Sequence, residues 1–170
     1  MNDRNHHATI IVPPGIAEPI EAVRQEWDPV MAAQIRAHVT LAYPQEAPLP
    51  DLLVARLRAT SYHIPPFRLR LGPLAYFERP EDGVYIEVQD IDGDYRRLRQ
   101  HLLRPPFQRI AFPLHVTLIH PRTSGRGRDF WEHGRYQPDD QEFTVAELTI
   151  TAFDGMTWVV LERLALGREG

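Results

Sequence analysis

The sequence contains no cysteine and no lysine. The first absence removes disulfides, thiolate nucleophiles and cysteine-ligated zinc, and leaves histidine and the carboxylates to carry any chemistry. The second makes all 19 basic side chains arginine, the better bidentate clamp for phosphate. Long apolar runs are missing too. The stretch that follows the polar Met1 to His7 segment stops at Pro13-Pro14, too short for a signal or membrane segment. These features predict a soluble, cytoplasmic protein. A net charge of -4 argues against coating of nucleic acid by bulk electrostatics, because such binding is carried by many Lys and Arg contacts to phosphate. Small or end-bound phosphate ligands stay open. No Gly/Ser-rich linker divides the 170 residues, so the expectation is one domain, 1–170, monomeric and built as two lobes.

Short elements can be placed along the chain. Thr9 to Val12 is a β-branched run closed by two prolines and predicts a strand. Ile16, Ile20, Val23 and Trp27 recur at helical spacing until Asp28-Pro29, and Met31 to Arg36 gives a second helical piece. His38 to Tyr43 predicts a strand and Leu49 to Ala59 an amphipathic helix starting near Pro50. Phe67 to Leu71 alternates as a half-buried strand does. Ala75 to Glu78 and Val84 to Val88 flank Pro80-Glu81-Asp82-Gly83 as a hairpin would. Tyr95, Leu98 and Leu102 predict a helix ended by Pro105-Pro106, and Leu114 to His120 another strand. Phe143 to Ile150, with a slip in the alternation at Val145-Ala146, predicts one strand of a last hairpin that turns at Asp154-Gly155 into Trp158 to Leu161. Ser124 to Arg128 is a basic loop. The fold class is α+β.

One word occurs twice: His38-Val39-Thr40-Leu41-Ala42-Tyr43-Pro44 and His115-Val116-Thr117-Leu118-Ile119-His120-Pro121, with five of seven positions identical. In a strand, side chains alternate faces, so each histidine shares a face with the threonine two residues on, and the Val and Leu share the other. Two copies suggest two similar lobes related by an approximate twofold, with the polar faces opposed. Histidine, with an unperturbed pKa of about 6.5, lets one copy be neutral and another protonated near neutral pH. One can then accept a proton while the other donates. The threonine hydroxyls can hydrogen-bond phosphate oxygens as charge builds on them.

Paired H-x-T motifs on well-separated strands resemble the 2H phosphoesterase superfamily. The form His-Val-Thr-Leu-x-x-Pro, preceded by Trp27-Asp28-Pro29, is similar to its 2'-5' RNA ligase-like and cyclic phosphodiesterase branch. The resemblance spans most of the chain, ending in Trp158-Val159-Val160-Leu161. It implies a bilobal fold of two antiparallel sheets around a central cleft, with helices on the outer faces and neither metal nor other cofactor. The implied activity is hydrolysis of 2',3'-cyclic phosphates, or reversible formation of 2'-5' phosphodiesters, on a nucleotide or RNA end. His38 and His115 are then catalytic, with His115 the base and His38 the acid, and Thr40 and Thr117 hold phosphate. No long insertion suited to a large RNA is present.

Further candidates are weaker. Tyr43 could stack on a base or be a core-edge aromatic. Arg122, with Arg126 and Arg128, could reach phosphate or form a solvated loop. His120 has odd parity relative to His115, which predicts the opposite face. His63, His101 and His133 lack the motif and are expected on surfaces, and His6 and His7 in a tail with weak metal-site potential. Two competing functions stay open: a nucleotide- or RNA-end-binding module without turnover, and a metal-dependent hydrolase, the latter without an H-E-x-x-H motif to support it.

Overall fold

The computed structural model describes residues 6–77 and 81–167. In chain order the elements are β1 (His6–Ile11), α1 (Pro14–Trp27), α2 (Pro29–Gln34), β2 (His38–Ala42), α3 (Pro50–Ser61), β3 (Phe67–Phe77), β4 (Gly83–Asp90), α4 (Asp94–Leu102), β5 (His115–Ile119), α5 (Gly127–His133), β6 (Glu142–Val145), β7 (Glu147–Phe153) and β8 (Trp158–Ala165). All strand pairings are antiparallel, in the order β6-β3-β4-β5-β2-β1-β7-β8. The expected α+β class holds, but two separate sheets do not. The halves β2-β1-β7-β8 and β5-β4-β3-β6 are joined by the pair Val39↔Val116 into one sheet. That sheet curls: β6 lies at one edge and β7 is next to the other, yet only Ala146 separates them. Two Cα steps of about 3.8 Å bring the far ends of the sheet together. The slip expected at Val145-Ala146 is therefore a passage between halves.

Helix positions follow the apolar spacing. In α1, Ala17 and Ile20 are buried and Ile16, Val23 and Trp27 pack against the core. Pro14 at its start sacrifices an N–H that has no partner there. Asp28 ends it and caps α2, accepting from the Met31 N–H at 3.1 Å. The core lies between the helices and one face of the sheet and includes Ile10, Val39, Leu41, Leu53, Leu57, Ile86, Leu98, Leu102, Val116 and Leu118. Among the described residues no helix is long and apolar enough to cross a membrane.

Several boundaries differ from expectation. Strand β1 begins at His6, so His6 and His7 belong to the sheet and not to a tail. Strand β3 is one element of 11 residues whose pairing with β4 shifts between Leu71 and Leu74, where Gly72-Pro73 falls. The predicted Ala75 to Glu78 strand is its end, with Glu78 and Pro80 outside the described residues. Part of the basic loop is helical, as α5.

The repeated word folds the same way twice. Against β1, Ala8 pairs Ala42 and Thr9 pairs Thr40, so Leu41 is an extra residue. Against β4, Val84 pairs Ile119 and Tyr85 pairs Thr117, so Leu118 is extra. Each extra residue is a β-bulge, and it puts two successive residues into the core: Leu41 and Ala42, Leu118 and Ile119, all 0% exposed. Carbonyls at the first bulge accept from α4: the Tyr95 hydroxyl donates to Thr40 O at 2.7 Å and Arg99 to Leu41 O at 2.8 Å. A fully buried carboxylate then closes each word. Glu46 accepts from the Tyr43 N–H at 3.0 Å, and Asp28 from the His120 N–H at 2.8 Å.

Glu46 also accepts from the Ile110 N–H and pairs with Arg99 at 2.6 Å. Breaking a buried pair leaves the partner uncompensated, at a cost of about 3–5 kcal/mol. Glu46→Ala should lower the unfolding free energy by that order in urea titration; a change below about 1 kcal/mol, the scale of an exposed pair, would contradict the assigned role.

Candidate active site

The bulges decide which side chains reach the open face of the sheet. His38 and Thr40 on β2, and His115 and Thr117 on β5, lie opposite the buried Val39 and Val116. Continuing the register set by Val39↔Val116 puts His38 toward Thr117 and Thr40 toward His115. After each bulge the alternation resumes one residue late. Tyr43 and His120, equivalent positions of the word, therefore return to the cleft face. For His120 this corrects the parity expectation: its charge acts on both His38 and His115. The signal was present in the sequence as the paired apolar residues Leu118-Ile119 and Leu41-Ala42, which break strict alternation.

Both motif histidines hang in the same way. Nδ1 of His38 lies 2.8 Å from Arg36 O, and Nδ1 of His115 lies 2.6 Å from Pro113 O. A carbonyl only accepts, so each Nδ1 carries the proton and each Nε2 is the free nitrogen of the neutral ring. The chain before His38 is held rigidly. Glu21 accepts from the Ala37 N–H at 2.5 Å, and Arg24, 1% exposed, donates to Ile35 O at 2.8 Å. His120 has the other tautomer: its Nδ1 accepts from the Arg122 N–H at 3.1 Å, leaving the proton on Nε2 when the ring is neutral.

Electrostatics keep the cleft histidines unprotonated at neutral pH. Burial pushes His38 down to about 4, helped by Arg24, His115 and His120 and resisted by the Arg36 carbonyl. Burial likewise lowers His115 against the Pro113 carbonyl, and lowers His120 together with the neighbouring Arg122.

Aromatic rings form two walls. Beside His115 stand Tyr85 and Phe77, with ring centroids 5.3 and 5.7 Å away. On the His38 side, His7, Tyr43, Phe112 and Trp158 form a chain of ring contacts, including His7 to His38 at 5.3 Å and Tyr43 to Phe112 at 5.0 Å. Tyr43 is pushed up to about 12 by burial and stays protonated, with its hydroxyl beside that of Thr40. Arg122 is exposed next to His120, and its guanidinium makes no ion pair among the described residues. Arg126 is committed elsewhere, stacked 4.1 Å over Trp27 and donating to Glu26 O, and Arg128 pairs with Glu132. His63, His101 and His133 are exposed, as expected. Among the described residues no group of three or more His, Asp or Glu could hold a metal. Sequence reasoning missed His7, Phe77, Tyr85, Phe112 and His120.

Known proteins share this architecture. A family model described as the 2'-5' RNA ligase superfamily matches residues 12–156. The fold is similar to that of Escherichia coli LigT in a crystal structure with 3'-AMP, at 21% identity and TM-score 0.71, covering 98% of this chain and 100% of that one. A LigT structure with NADP+ gives 21% identity and TM-score 0.70, again over 98% and 100%. The protein TT0787 of Thermus thermophilus gives 18% and 0.64, over 97% and 99%. At these identities the likeness is one of fold. No curated protein matches the sequence.

The low His38 pKa makes stability depend on pH. The unfolded ring binds its proton near pH 6.5 and the folded ring near 4. The unfolded state therefore holds more protons in between, and stability falls as pH drops from about 6.5 to about 4, by at most about 1.4 kcal/mol per pH unit per ring. Urea titrations at pH 7.5, 6 and 5 should show this decline, and His38→Asn should make it shallower, the lowered His7, His115 and His120 rings supplying the rest; an unchanged slope in that variant would refute the assigned shift.

Proposed function

The chain belongs to the 2'-5' RNA ligase superfamily, and from that membership we propose that it is a metal-independent phosphoesterase, acting on a 2',3'-cyclic phosphate or a 2'-5' phosphodiester at a nucleotide or RNA end. The observation that carries this reading is the matched suspension of two imidazoles on adjacent strands, each with Nδ1 tied to a carbonyl and Nε2 free. In the hydrolytic direction His115 Nε2 takes a proton from water as the water oxygen bonds to phosphorus. His38 Nε2–H gives a proton to the ribose oxygen as its bond to phosphorus breaks. One proton is taken and one given, and the exchanged roles serve the reverse reaction.

Thr40 and Thr117 donate to the non-bridging oxygens where charge accumulates. The surroundings of His38 hold it neutral, so its proton arrives with the substrate: an anion beside the ring favours the imidazolium. Tyr43 and Phe112 on one wall and Phe77 and Tyr85 on the other offer stacking faces for nucleobases, and Arg122 stands ready for a further phosphate charge. LigT has been crystallised with 3'-AMP, NADP+ and ATP, ligands that combine a base with phosphate as this cleft requires. Action on a soluble nucleotide by a cytoplasmic monomer fits these features.

The same ligands also suit the second reading, a binding module without turnover. Activity separates the two. Purified protein should cleave 2',3'-cyclic nucleotides in the presence of EDTA, and His38→Ala and His115→Ala should each lower kcat/KM by about 10²- to 10⁴-fold. Nucleotide binding with no cleavage of cyclic or 2'-5' substrates favours the binding module. Activity abolished by EDTA, or retained in both variants, refutes the proposal.

A further inference from the structure

His7 is more deeply buried than the other rings that line the cleft, 7% exposed, and the acid-base scheme does not use it. Its Nε2 lies 3.1 Å from the Thr40 hydroxyl, and its Nδ1 is buried with no hydrogen-bond partner. Its ring packs 4.8 Å from Trp158 and edge-on to His38. A buried polar nitrogen left bare is uncommon and requires an explanation.

We propose that His7 is a positioning residue for Thr40: its Nε2–H donates to the threonine oxygen and thereby turns the threonine's own proton toward the bound phosphate. The proposal rests on the phosphoesterase reading of the cleft. Two tautomers of the neutral ring are available. With the proton on Nδ1, a buried N–H would have no acceptor, and Thr40 would direct its only proton at His7. With the proton on Nε2, the bare atom is a lone pair, the less costly of the two to leave unmatched. A hydroxyl has one donor and two acceptor sites. Here His7 fills one acceptor site, and the donor is left for the cleft. Burial and the neighbouring His38 hold His7 neutral, so the ring does not compete with His38 or His115 for protons.

The second half of the sheet supplies an internal comparison. The pairing of Val84 with Ile119 corresponds to that of Ala8 with Ala42, so the residue equivalent to His7 is Gly83. A Cβ there would meet Pro121 at 3.0 Å and Ile119 O at 3.3 Å. Thr117 consequently has no side chain at the place His7 takes beside Thr40, and among the described residues its hydroxyl makes no hydrogen bond. The two threonines are thus inequivalent: Thr40 is oriented by the fold, and Thr117 orients only on its ligand.

Two measurements test this. Long-range ¹H–¹⁵N spectra of the whole protein should show His7 with its proton on Nε2 and a bare Nδ1; a proton on Nδ1 overturns the proposal whether or not the protein is an enzyme. The second is a double-mutant cycle with Thr40→Val, read as kcat/KM on a 2',3'-cyclic nucleotide and as affinity for inorganic phosphate. His7→Phe should cost roughly ten-fold when Thr40 is present and almost nothing in the Thr40→Val background. His7→Gln, whose amide N–H can replace the donor, should recover most of the loss. Equal losses in both backgrounds, or no recovery by Gln, would show a merely structural role and refute the proposal. If no substrate is cleaved, the phosphate affinities and the tautomer still decide it, so failure of the enzymatic reading is distinguishable.

Discussion

The pair of Val39 against Val116 joins the two halves of the sheet, and the position of every group in the cleft depends on it. Both valines are fully buried, so the neighbours of each, a histidine before and a threonine after, are forced to the open face. Antiparallel pairing then sets each histidine against the other strand's threonine. The two histidines and the two threonines thus interleave because the same His-Val-Thr-Leu segment is used twice in one antiparallel pair. No loop is needed to bring them together, which suits a site requiring geometry good to a fraction of an ångström.

Such a site takes stability from the fold. Imidazoles with one nitrogen tied to a carbonyl and the other bare are desolvated without a full set of partners, and His38 falls to about 4 as a result. Arg24 Nε and His7 Nδ1 are buried with no partner. What offsets these groups is the other face of the sheet, where Ile10, Leu41, Ile86 and Leu118 are fully or almost fully buried. Glu46 and Asp28 contribute by gathering loose N–H groups at the ends of both motif strands. The arginines, all of one chemical type, divide in the same way. Arg24 and Arg99 are built into the core edge, and Arg122 stays exposed at the mouth.

Much of this was legible in the sequence because it is local. The repeated word identified His38, Thr40, His115 and Thr117, and alternation placed them on one face. Prolines and apolar spacing located α1, α3, α4 and the motif strands to within a few residues. What escaped depends on partners distant in sequence. Phe143 to Ile150 looks like one strand with a slip, and only the sheet order shows that β6 and β7 belong to opposite halves. His7 looked like tail because a polar residue in a strand facing a polar cleft breaks the apolar pattern. His120 was assigned to the wrong face by a parity rule that a bulge suspends. Phe77 and Tyr85 carry no motif, and only the pairing of Tyr85 with Thr117 puts that wall beside His115.

A crystal structure with orthovanadate and a nucleoside, a mimic of phosphorus at the transition state, tests the central claim most directly. Nε2 of His38 and Nε2 of His115 should lie on opposite sides of one vanadate, each within about 2.6–3.2 Å of an apical oxygen, with both threonine hydroxyls on its equatorial oxygens. Vanadate held by one histidine alone, or bound outside the face shared by β2 and β5, would contradict the account.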